Sequence, residues 1–128
     1  MATFRTIKVN GKDYNFFCTA RSNRSGFVHE CELQNADGYV LATSKAQYYN
    51  RTWESYRFES VMGACVYELI KERTADLVDN FKADKGYKNL TEKRRDELEP
   101  ILKADADLME LAELRDNVRN GYKLYNFI

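Results

Sequence analysis

Few of the residues that advertise a chemistry are present. The 128-residue chain holds one histidine, one proline, one tryptophan and three cysteines, and its 20 basic side chains are cancelled by 20 acidic ones. A single histidine, with no Gly-x-Ser-x-Gly, phosphate loop or dinucleotide-binding glycine pattern, leaves nucleophilic and acid–base catalysis without their usual parts. Zero net charge argues against bulk attraction to nucleic acid and equally against an acidic mimic of it. No apolar run approaches the roughly eighteen residues of a membrane span, and the opening "MATFRTIKVNGKDY" lacks the apolar core of a secretory signal. A cytoplasmic protein with no membrane partner is expected.

Cys18, Cys31 and Cys65 are odd in number and follow no framework spacing, which favours reduced thiols buried as small hydrophobes. Without secretion, the sequons at Asn23, Asn50 and Asn89 are chance matches. "HEC" sets His29 and Cys31 on one strand face, where both reach a common ion, yet no Cys-x-x-Cys or second histidine closes a site. Both are expected in the core, with no metal and no cofactor. The carboxylate pairs Glu30 with Glu32 and Asp105 with Asp107 are expected on solvated surface, the second near a helix start where negative charge suits the macrodipole.

What is present reads as one α+β domain over 1–128: mainly sheet over 1–50, mainly helical over 55–120, and an apolar tail over 121–128. In "FRTIKVNGKDYNFFC", Asn10-Gly11 is the dipeptide preferred by a two-residue turn that needs positive φ twice. That turn sets Val9 opposite Lys12, Ile7 opposite Tyr14 and Arg5 opposite Phe16, with Lys8–Asp13 and Thr6–Asn15 on the other face. "RSNRSG", Arg21 to Gly26, reads as a loop, and "FVHECEL" resumes alternation with Phe27, His29, Cys31 and Leu33 on one face. "NADG" turns the chain again, and "YVLAT" returns as a strand that continues through "SKAQYYN" or leaves the sheet there. Three to four antiparallel strands are expected.

From about Tyr56 the period changes to three and four: Phe58, Val61, Met62, Cys65, Val66, Leu69, Ile70, Leu77, Val78 and Phe81 mark a long amphipathic helix. Gly86 ends it, Thr91 caps the next helix, and Pro100 is expected to split the remaining helical pattern into helices near 91–98 and 101–119. Leu98, Ile101 and Leu102, then Leu108, Leu111, Leu114 and Val118, supply inward stripes. Gly121 is expected to close the last helix and leave "YKLYNFI" as a tail. Two or three helices thus come after the long one. That tail, and more apolar stripe than one small sheet obviously covers, point to a homodimer through the helices or the C-terminal tail.

The densest cluster of contact-type residues is "YYNRTWESYRFESV", Tyr48 to Val61. Its structural reading makes Trp53 and Tyr48 or Tyr56 aromatic plugs where sheet meets helix, with Thr52 or Ser55 as helix cap. Its functional reading makes Tyr49, Arg51, Trp53, Tyr56 and Arg57 an interface anchor, because Tyr, Trp and Arg are enriched at binding hot spots. Arg21 and Arg24 form a second patch. Residues 1–60 carry eight basic and six acidic side chains, a weak bias for a nucleic-acid binder.

The segment "YYNRTWESYRFESVM" ahead of a helix resembles segments of small proteins encoded by bacteriophages and other mobile elements. The resemblance covers about fifteen residues and brings no activity with it. It implies a setting in which small proteins without catalytic motifs bind and block a host protein, including defence machinery such as CRISPR nucleases. The expected function is therefore a non-catalytic interaction protein whose partner is a host protein or nucleoprotein complex. A nucleic-acid-binding accessory protein using the sheet and its arginines is the alternative.

Overall fold

The computed structural model describes residues 2–49 and 58–126, with residues 120–126 described by backbone alone. Four strands come first: β1 (Ala2–Val9), β2 (Lys12–Asn23), β3 (Gly26–Gln34) and β4 (Val40–Tyr48). They pair antiparallel in sequence order, β1-β2-β3-β4, so β1 and β4 are the edges. Asn10 and Gly11 take φ of 53° and 77°, and β1 pairs with β2 in the register their turn demands, Val9 opposite Lys12 and Ile7 opposite Tyr14. The stretch over 35–38 also turns as expected. The Asn35 side chain accepts from the amides of Asp37 and Tyr39 at 3.0 Å each, and the chain re-enters the sheet as β4.

Arg21 departs from its expected loop. β2 runs on to Asn23, Arg21 sits opposite Val28, and only Arg24 and Ser25 form the turn. The Asn23 side chain accepts from the Ser25 amide, which lets the polar stretch turn in two residues. Gly26 then passes so close to the Tyr48 carbonyl that a Cβ there would lie 2.0 Å from its oxygen.

Alternation assigns the faces. Ile7, Val9, Tyr14, Phe16, Cys18, His29, Cys31 and Leu33 point to one side and are buried, and the helices cover that side. The long helix α1 (Glu59–Lys85) packs on β3 and β4, where Ala42, Ser44 and Ala46 are small enough to admit it. The Ser44 hydroxyl donates to the Val61 carbonyl, and the Phe58, Val61, Met62, Cys65 and Val66 stripe is buried as the period predicts. Phe58 holds the N-cap position of α1 with no side-chain cap of its own, and the expected caps Thr52 and Ser55 lie outside the described residues. Gly86 ends it in the left-handed conformation, its amide reaching back to Ala83.

The Thr91 side chain caps α2 (Glu92–Ala104), and here the structure corrects the expected helix boundary. Pro100 lies inside α2 without ending it. Pro100 and Asp96 are both exposed, so the carbonyl left without its amide donor remains in water. The break falls at Asp105. Its carboxylate accepts from the Leu108 amide at 2.9 Å, capping α3 (Ala106–Asn126), and takes both arms of the Arg73 guanidinium from α1 at 2.9 and 2.7 Å. Asp105 is thus a half-buried anchor, unlike the solvated surface residue expected. Gly121 does not stop α3, whose backbone continues to Asn126, so the expected tail begins inside a helix. One glycine in a helix costs only about 1 kcal/mol. Ile101, 43% exposed, is outside the inward stripe, while Leu98, Leu108, Leu114 and Val118 are within it.

α3 is fastened to the sheet by a buried carboxylate. Glu110 accepts from the Tyr14 hydroxyl at 2.5 Å, from Lys12 Nζ at 3.4 Å and from Asn10 Nδ2 at 3.5 Å, all on the first hairpin. Burial alone would raise the Glu110 carboxyl, but the bonds from Tyr14 and Lys12 more than offset it and its pKa lies below the ordinary value. Burial, and then the bond to Glu110, push the Tyr14 hydroxyl well up.

Arg73 beside Asp105 holds that carboxyl down at about 2, against an ordinary 3.8. Both carboxylates have depressed folded values, so their stabilisation is complete above the ordinary carboxyl range and is lost as pH falls through the folded values. Urea midpoints should fall as pH drops from about 4.5 towards 2, and fall less in Glu110→Gln and Asp105→Asn. A wild type and variants with parallel pH profiles would contradict this. Leu114→Ala should cost about 2–5 kcal/mol and Ile101→Ala under about 1, measured by chemical denaturation; equal costs would contradict the packing described.

Candidate interaction surface

Among the described residues, no helix packs on the other side of the sheet. On that outer face β1 and β2 present Phe4 and Phe17, which the Asn10–Gly11 register sets opposite each other. They are 60% and 45% exposed, with ring centroids 6.3 Å apart and planes inclined by 59°. An exposed aromatic pair of this kind offers a large, rigid apolar contact at little entropic cost.

The charges around it are paired rather than massed. Lys8 lies 3.8 Å from Asp13, and Glu30 receives both Arg21 at 3.6 Å and Lys45 at 3.5 Å. Glu32 accepts from the Gln34 amide. Three basic and three acidic side chains therefore cancel on this face, and Phe17, Thr19, Glu30, Glu32, Thr43 and Lys45 line a shallow depression across its middle. Val28 is the outer-face exception, 3% exposed and flanked in the ladder by Arg21 and Gln47.

The residues singled out in sequence are distributed unevenly. Tyr49 stands 74% exposed just past β4. Arg24 is exposed in the turn between β2 and β3, whereas Arg21 belongs to the strand and to Glu30. Arg51, Trp53, Tyr56 and Arg57 lie outside the described residues. Tyr48 does fill the junction between sheet and helix: fully buried His29 lies between its ring and that of Phe58, at centroid distances of 4.7 and 4.8 Å.

Phe4 and Phe17 are absent from the contact residues that sequence singles out, although the signal exists. Phe16 and Phe17 are consecutive in a strand and must point to opposite faces, and the turn register pairs Phe17 with Phe4. The run Tyr39, Val40 and Leu41, exposed at the start of β4, carries no such signal. Periodicity alone does not distinguish an edge strand from a central one.

Beneath the sheet the three cysteines meet. The Cys18 thiol donates to the Cys31 sulfur at 3.3 Å, and the Cys65 thiol reaches Ser44 Oγ at 3.2 Å and the Cys31 carbonyl at 3.6 Å. All three are free and buried. Hydrogen bonding with Cys18 and Cys65, added to burial, pushes the Cys31 thiol up. Among the described residues no group of three or more His, Cys, Asp or Glu side chains converges to hold a metal ion. Among those residues, too, no helix is long and apolar enough to cross a membrane.

The chain matches no family model, and comparison with curated proteins and with solved structures returns no match. Its own chemistry is the guide to function. A disulfide-exchange reagent should leave all three thiols unmodified in the native protein and label all three after denaturation. Rapid labelling of any one native thiol would contradict their placement in the core.

Proposed function

We propose that this is a non-catalytic interaction protein of the phage or mobile-element kind, which binds a host protein and inhibits it by occupying a surface. An anti-defence inhibitor, with the anti-CRISPR type as its concrete form, is the form we favour. The main support is the uncovered outer face, where an exposed Phe4–Phe17 pair sits among charges that are already matched. An apolar centre with a polar surround resembles a protein-binding patch. The resemblance of the Tyr48–Met62 segment to small phage proteins supplies the setting. Tyr49, exposed past β4 on the sheet edge opposite Phe4, offers a separate contact away from the aromatic pair.

The alternative, a nucleic-acid-binding accessory protein, draws on the same rings, since bases stack on exposed aromatics of an open sheet. Its electrostatic half is weaker. Arg21 and Lys45 both bind Glu30, and phosphate would have to compete with that carboxylate.

A double variant, Phe4→Ala with Phe17→Ala, separates the readings when compared with wild type in affinity capture from host-cell lysate. The protein retained by wild type should be retained at least about tenfold less by the variant, as loss of a central aromatic anchor predicts. Equal retention would remove the outer face as the binding surface. In a low-salt gel shift neither protein should retain DNA or RNA; a band that disappears as salt rises would favour the alternative.

A further inference from the structure

The Asn10–Gly11 turn settles the bonding pattern of every ladder in the sheet. A two-residue turn of this type closes on a hydrogen-bonded pair, here Val9 with Lys12, and bonded and non-bonded pairs alternate along an antiparallel ladder. Thr3–Cys18 is therefore a bonded pair of β1 and β2. The backbone groups of Cys18 are taken by β1, so its pairing with Cys31 across β2 and β3 is non-bonded. On the next ladder His29–Ala46, Cys31–Ser44 and Leu33–Ala42 are the bonded pairs, and the N–H and C=O groups of Thr43, Lys45 and Gln47 face away from β3.

A non-bonded pair is where an antiparallel ladder brings side chains closest, with Cα atoms about 4.5 Å apart. That separation lies inside the span of roughly 4.4–6.8 Å over which a disulfide closes without backbone movement. Cys18 and Cys31 occupy such a pair with both side chains on the buried face, and their sulfurs are 3.3 Å apart. Shortening that distance to the bond length of about 2.05 Å takes small rotations of two unbranched side chains.

We propose that Cys18 and Cys31 form a redox modification site, a dithiol that a low-molecular-weight disulfide such as oxidised glutathione converts into a cross-strand disulfide joining β2 to β3. One cysteine thiolate attacks a glutathione sulfur; the S–S bond of the reagent breaks, one glutathione thiolate leaves, and a mixed disulfide remains on the protein. The second cysteine thiolate attacks the protein sulfur of that mixed disulfide and expels the other glutathione. Two electrons pass from the cysteines to glutathione, and the two thiol protons end on the two released glutathiones.

Cys65 is the competing thiol. It approaches Cys31 from α1, but its sulfur is held by Ser44 Oγ at 3.2 Å and by the Cys31 carbonyl at 3.6 Å. No ladder sets its backbone opposite either strand cysteine, so the pair that the sheet aligns is Cys18 with Cys31. Because these two are 1% and 3% exposed, glutathione meets them only in opened molecules, and the exchange is slow. The alignment acts on the equilibrium. The native fold holds the two sulfurs together before any bond exists, whereas the unfolded chain, with the cysteines 13 positions apart, must first close a loop.

Equilibrating the full chain in graded mixtures of reduced and oxidised glutathione, with and without denaturant, tests the site. Samples are quenched in acid, alkylated and read by peptide mass mapping. In native buffer the oxidised chain should carry one Cys18–Cys31 bond with Cys65 alkylated, and the equilibrium constant for forming that bond should be at least about tenfold greater than in denaturant. The oxidised protein should also unfold at a higher urea concentration than the reduced protein. The proposal is overturned by a native product that pairs Cys65 with either strand cysteine, by a native-to-denatured ratio below about tenfold, or by an oxidised form no more resistant to urea than the dithiol.

Discussion

The two-residue turn at Asn10-Gly11 is the constraint on which most of this structure depends. Both residues sit at positive φ, and with a side-chain period of two the pairing they impose settles every face assignment in the sheet. A slip of one residue would place Phe4 and Phe17 against the helices and Ile7, Tyr14 and Phe16 in water. The same turn settles which amides of the far edge are bonded, three strands away, because each ladder inherits its alternation from the one before.

The helical layer depends on that hairpin as well. Asn10, Lys12 and Tyr14 converge on Glu110, so the residues that form the turn and its first pairs also hold α3. A carboxylate in this position is tolerable because three donors replace its water, and removing one donor leaves the charge partly unpaired. Arg73 and Asp105 perform the corresponding task between α1 and the α2–α3 junction, with Asp105 also serving as helix cap. Two polar anchors thus orient a layer whose cohesion comes from the apolar stripe of α1 against β3 and β4. The thiols and His29 are absorbed into that packing, so among the described residues the exposed aromatic chemistry lies on the outer face and along the sheet's edges.

Much of this is legible in sequence where a local rule has no competitor. The hairpin register, the turn at 35–38, the Gly86 stop and the Thr91 cap each rest on residues whose partners lie within a few positions. The failures share the opposite property. Pro100 reads as a breaker because a lost amide bond is a local cost, but solvent exposure at Asp96 and Pro100 makes that cost bearable. Asp105 reads as surface because its partner, Arg73, is 32 residues away. Arg21 reads as a loop residue on polarity alone, though its cross-strand partners Val28 and Glu30 keep it in the ladder. The candidate surface is half visible: Tyr49 stands out by its residue type, while Phe4 and Phe17 are implied only by the register that also builds the buried face. Edge status is a property of strand order, which no short window of sequence contains.

The side chains on the outer face and the bonding parity of the β4 amides are consequences of one register, so the register is what an experiment should interrogate first. Amide hydrogen exchange along β4, followed by NMR in dilute solution, does so most directly. The amides of Ala42, Ser44 and Ala46 should be protected, and those of Thr43, Lys45 and Gln47 should exchange quickly. The reverse parity, with Thr43 and Lys45 protected in the dilute protein and Ser44 open, would contradict the account at its foundation.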